Sequence, residues 1–121
     1  MRYVILIAFD PQTWDEAAPQ QQSSWMDDHG RFEAYVAEHG RCIATAPLSG
    51  ADTATTVRHR DGNVVVTDGP YVELVEQLAG YYDVELPDLD TAIEAAQLLP
   101  AAFAIEIRPV ERVEAGGVSI T

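Results

Sequence analysis

Lysine is absent from this chain of 121 residues: its seven basic residues are all arginines, against 20 acidic ones, for a formal net charge of −13. Nucleic acids and anionic membranes are bound largely through Lys and Arg, so this balance argues against both as partners. A local Arg cluster can still hold a small anion. Cys42 is the single cysteine, which excludes an intramolecular disulfide and a cysteine-based zinc site and is compatible with a reducing compartment. The histidines, His29, His39 and His59, are scattered, without metal-ligand spacing such as two histidines four apart on a helix, so no metal is expected. Neither a glycine-rich phosphate loop nor a Gly-x-Ser-x-Gly nucleophile elbow occurs, and no cofactor is expected. Apolar runs do not exceed strand length, and the chain enters Tyr3 to Phe9 without a basic region or a cleavage site. The expectation is a cytoplasmic protein with neither a membrane span nor a signal peptide.

What is present reads as one domain with a core that needs no disulfide or structural metal. Tyr3 to Phe9 is apolar on both alternating faces, as in a central strand covered on both sides. Asp10 to Gln22 is a loop, or a loop with a short helical start after Pro11. A helix is predicted from about Ser24 to His39, with Ser23 or Ser24 as N-cap, Asp27 and Asp28 in the first turn and Gly40 just past its end. Its stripe is Trp25, His29, Phe32, Val36 and His39. Arg41 to Leu48 forms a strand ending in the turn-rich Ser49 to Asp52. Thr53 to Arg60 and Asn63 to Thr67 form a hairpin through Asp61-Gly62, a dipeptide that tolerates the positive φ of a tight turn. Gly80 to Leu86 is a strand, with Tyr82, Val84 and Leu86 on one face and Tyr81, Asp83 and Glu85 on the other. A second helix follows from about Asp88 to Leu99, with Asp88 or Asp90 as cap and Leu89, Ala92, Ile93 and Ala96 on one face. Phe103 to Val110 closes the sheet, and Glu111 to Thr121 is a polar, Gly-containing tail. The order predicts an α+β, ferredoxin-like antiparallel sheet with two helices on one face.

The stretch from Thr67 through Asp68-Gly69-Pro70 and Tyr71 to Tyr82 joins a sharp turn, a carboxylate cluster and an aromatic strand entry. It resembles the signature of the YCII-related, or DGPF-domain, family of small bacterial proteins. The resemblance extends upstream through Tyr3 to Ile7, Trp25-Met26 and Ala54 to Arg58. Downstream it includes Asp88 to Ile93 and Ile105 to Val110. It implies a domain over residues 1–110, with 111–121 as a C-terminal tail, and a homodimer of the dimeric α/β barrel type. It also implies an active pair of His29 and Asp68. Three positions depart from the family pattern: Tyr71 replaces a phenylalanine, Val75 stands where lysine is common, and Ala79 replaces the first of two glycines.

Each candidate residue has a functional and a structural reading. His29 lies between Trp25 and Phe32 on the stripe; it is either a half-buried general acid/base or a core histidine bonded to backbone. Asp68 is either its charge partner or an Asx-type turn residue before Gly69-Pro70. Tyr71, Glu73 and Glu76 contact a substrate if the loop turns toward a cleft. The two glutamates share a face only if it does so helically; otherwise they form a solvated acidic surface. Arg58, Arg60 and Arg108 are anion contacts or, favoured by the charge balance, salt-bridge partners of the many acids. His39 fits helix-dipole pairing, and His59 an exposed hairpin tip.

Two functions follow. One is a cofactor-independent enzyme acting on a small-molecule ligand by proton transfer, as an isomerase, lyase or dehydrohalogenase, with His29 moving the proton and Asp68 orienting it. The other is a non-catalytic ligand-binding or regulatory module, in keeping with the sigma-factor gene neighbourhoods that the resemblance implies.

Overall fold

A computed structural model describes residues 1–111, 113–115 and 118–120. Strand β1 (Arg2–Phe9) leads into a short helix α1 (Pro11–Asp15) and the long helix α2 (Pro19–His39). Strand β2 (Arg41–Pro47), a 3-10 turn (Ala51–Thr53) and the hairpin of β3 (Thr55–Arg60) and β4 (Asn63–Asp68) follow. Strand β5 (Gln77–Glu85), helix α3 (Leu89–Ala96) and strand β6 (Ala104–Pro109) complete the body. Strands β7 (Val113–Ala115) and β8 (Val118–Ile120) pair as a further two-stranded sheet within the predicted tail. The main sheet has the order β2-β5-β1-β6, antiparallel throughout. Without the hairpin, which forms its own two-stranded sheet, the chain is a ferredoxin-like βαββαβ unit.

The local chemistry explains where these elements begin. Asp10 accepts a hydrogen bond from the Gln12 amide (3.0 Å) and caps α1, so the short helical start after Pro11 does form. Helix α2 begins at Pro19, several residues before the predicted Ser24, and Ala18 supplies no side-chain cap. Proline at the first helical position has no N–H to leave unsatisfied and its φ is already helical, so neither Ser23 nor Ser24 is the cap. Asp88, rather than Asp90, caps α3, accepting from the Thr91 amide (2.8 Å) and hydroxyl (2.6 Å).

Alternation along the strands decides which side of the sheet is covered. Tyr3, Ile5 and Ile7 of β1 and Tyr82 and Val84 of β5, with Leu86 just beyond, pack against Trp25, Phe32 and Val36 of α2 and Ala92 and Ala95 of α3. Each large apolar side chain buried this way contributes roughly 1.5–3 kcal/mol. On α3 the buried face is Ala92 and Ala95, while the predicted Leu89 and Ile93 remain exposed; small residues at the contact let the helix approach closely. On the opposite sheet face lie Val4 and Leu6, half-buried, with Tyr81 and an ion pair. Arg2 grips the buried Asp83 there through two bonds, Nε to Oδ1 (2.9 Å) and a second nitrogen to Oδ2 (2.6 Å). No helix of the described residues is long and apolar enough to cross a membrane.

Gly40 joins α2 to β2 with φ of −175°, so it is not the left-handed helix cap that a glycine in this position predicts. Its lack of a side chain is required for another reason: a Cβ there would overlap the backbone carbonyl of Glu85. Gly40→Ala should therefore destabilise the protein by about 1–3 kcal/mol through forced displacement of β5, measured as a lower midpoint of chemical unfolding; an unchanged midpoint would show that the junction yields freely.

Candidate functional site

Tyr82 is the buried centre of the site. It points from β5 to the helical side and is only 4% exposed, yet a phenol in a core needs partners for its hydroxyl. Two come from α2. The Tyr82 hydroxyl lies 3.0 Å from Glu33 Oε1 and 3.0 Å from His29 Nδ1. His29 and Glu33 are four residues apart and so share one helix face, which β5 meets at Tyr82.

The direction of these bonds follows from the groups themselves. A carboxylate only accepts, so the single Tyr82 proton goes to Glu33, and the phenol oxygen is left to accept from His29 Nδ1–H. In the neutral ring the other nitrogen, Nε2, then carries the lone pair. Burial lowers the His29 pKa below the ordinary 6.5, outweighing the nearby carboxylates of Glu33 and Asp28, which act to raise it. Burial first, and then the bond to Glu33, push the Tyr82 phenol well above its usual value. The arrangement therefore holds a neutral histidine in one tautomer, with an un-ionised phenol behind it.

His29 opens on a cleft of about 610 Å³. Its floor is sheet, including Ile7 and Phe9 of β1 and Ala79 to Tyr82 of β5; Met26, His29, Gly30 and Glu33 of α2 form one wall, and Thr45 to Leu48, Trp14 and Phe103 close the rest. The rings of Phe9 and Phe103 stack at 4.4 Å. Gly30 is a helix-interior glycine, a placement that costs about 1 kcal/mol relative to alanine. A Cβ there would meet nothing within 4 Å, so the missing side chain keeps space open one residue from His29.

The other predicted residues lie outside this cleft. Asp68 ends β4 on the hairpin, exposed, and among the described residues no hydrogen bond joins it to His29, whose partner is Tyr82. Nor, among the described residues, does its carboxylate cap the turn by a hydrogen bond. The turn is held instead by backbone, Gly69 N–H to Ala54 O (2.7 Å), and by the Thr56 hydroxyl to Gly69 O (2.7 Å). Gly69 has φ of +105°, which glycine adopts without strain. Tyr71 is 76% exposed, and Arg58 donates to its backbone carbonyl (2.8 Å), so this arginine ties the loop to the hairpin. Glu73 and Glu76 are exposed on a loop that does not turn helically, so the condition for a shared helical face is not met. Arg108 pairs with Glu106 (3.0 Å) on β6. His39 bonds the Tyr35 carbonyl and stacks on its ring, and Arg60 and His59 are exposed on β3. Among the described residues no cluster of three or more His, Cys, Asp or Glu side chains has metal-binding geometry.

Of the residues that meet at this cleft, sequence reasoning singled out His29 and did not single out Tyr82, Glu33 or Gly30. The signals were there: a phenol on the core face of a strand, a glutamate one helical turn beyond the histidine, and a glycine inside a helix. A family model for the YCII-related domain matches residues 1–114. An uncharacterized protein of Rhizobium meliloti (strain 1021) is 30% identical over 114 residues, covering 91% of this chain and 92% of its own length. With a match that runs from the first strand past the last strand of the main sheet, the chain belongs to the YCII-related family.

Proposed function

We propose that this protein is a cofactor-independent proton-transfer catalyst for a small apolar molecule, of the isomerase, lyase or dehydrohalogenase kind. The observation that carries this reading is the Glu33–Tyr82–His29 chain, which leaves Nε2 as the basic nitrogen of a neutral histidine on an apolar cleft. Nε2 takes a proton from a C–H or O–H of the bound molecule. Tyr82 and Glu33 then stabilise the imidazolium through the Nδ1 side, and the proton returns to another atom of the product or passes to solvent. In this reading Asp68 has no part in the transfer within one chain.

A nitrobenzisoxazole tests the base directly, because removal of its C–H proton opens the ring with N–O cleavage to a coloured phenolate. The wild-type rate should rise with pH and level off. Since the neutral ring is the active form and its pKa lies below 6.5, the midpoint of that rise should also lie below 6.5. His29→Ala should lower the rate by about 100-fold or more. Tyr82→Phe, which removes the acceptor for Nδ1–H, should move the midpoint lower still, whereas Asp68→Asn should leave it in place. A rate unaffected by His29→Ala would contradict the reading and leave a ligand-binding module without turnover.

We infer further that two copies pair through the open sheet face. Val4 and Leu6 on the central strand are half-buried and stand outside the core that the helices form with the other face, among the described residues, and the pairing of the buried Asp83 with Arg2 already lowers the polar cost of covering this face. Sedimentation at high micromolar concentration should give a dimer, and Leu6→Arg a monomer; a wild-type monomer under those conditions would refute the pairing.

A further inference from the structure

The cleft is sorted by charge. Among the described residues its lining contains no arginine, and its histidine is biased toward the neutral form. Its one acid is Glu33, which uses Oε1 for the Tyr82 proton. Glu33 Oε2 has no hydrogen bond or ion pair among the described residues. Phe9, Trp14 and Phe103 add ring faces whose negative quadrupole attracts cations. Around this site the whole chain carries a net charge of −13, and such a field raises the local concentration of positive ligands and repels negative ones. The three effects agree in sign.

We propose that the cleft takes a small apolar amine in its protonated form, in preference to the isosteric alcohol, and rejects the corresponding carboxylate. The ammonium pairs with the free oxygen of Glu33 while the apolar body lies among the rings. This rests on the reading of the cleft as a small-molecule site and adds the chemical class it selects. A bound cation beside His29 also disfavours imidazolium, so the ligand itself would help keep the base neutral.

Three probes of one frame separate the possibilities: benzylamine, benzyl alcohol and benzoate, each titrated by NMR into the full chain and followed at the Trp14 indole and the His29 imidazole. Benzylamine should bind about fivefold more tightly than benzyl alcohol, the scale of one partly exposed ion pair, and benzoate most weakly. Salt should weaken benzylamine alone. Glu33→Gln still accepts the Tyr82 proton through its amide oxygen, so the cleft should persist while benzylamine loses its advantage over the alcohol. Equal binding of all three, or tightest binding of benzoate, would overturn the charge selection and leave the cleft reading standing. No shift at Trp14 or His29 with any probe would overturn both.

Discussion

A hydroxyl buried in an apolar core must be hydrogen-bonded or cost about 1–3 kcal/mol, and the geometry around Tyr82 is the consequence of that constraint. The phenol sits where β5 passes beneath α2, and the two side chains that satisfy it are one helical turn apart. Removing His29 leaves the phenol its bond to Glu33, whereas removing both side chains would leave the buried hydroxyl unpaired. The same two bonds set the tautomer of His29, so the packing requirement and the chemical capacity of the site have one physical origin.

The sheet and the helices serve this meeting point. Phe32 packs on the Tyr82 ring at 4.5 Å between centroids and Val36 is fully buried one turn beyond it, which fixes the rotation of α2 and thereby directs His29 and Glu33 toward β5. At the far end of the same helix Gly40 allows the chain to pass against the Glu85 carbonyl, so the helix and the strand are held together at the site and again beyond it. Folding with a neutral His29 has a further consequence. Its folded-state pKa is lower than its unfolded one, so its contribution to stability is present above 6.5 and is lost as pH falls through the folded value.

Much of the fold was legible because it depends on patterns that run along the chain. Period-two alternation placed Tyr82, Val84 and Leu86 on the covered face, and helical spacing placed Trp25, Phe32 and Val36 opposite them. The start of α2 was not legible from caps, because a proline, not a hydrogen-bonding side chain, begins it. On α3, two alanines rather than Leu89 and Ile93 meet the core, since backbone approach and not side-chain size governs that contact. The site was half legible. His29 stood out by its place on an apolar stripe, but its partner comes from a strand 53 residues away, and a search for charged partners overlooks a tyrosine. The loop from Asp68 to Glu76 is conspicuous by composition, but none of its residues lines the cleft.

The central claim is that Glu33, through Tyr82, holds the proton of neutral His29 on Nδ1. Nitrogen-15 NMR of the histidine ring, recorded above pH 6.5, reads that directly from the shifts of the two ring nitrogens. The account predicts a protonated Nδ1 and an unprotonated Nε2 in the wild-type protein, with loss of this bias in Tyr82→Phe; a wild-type His29 carrying its proton on Nε2 would contradict it.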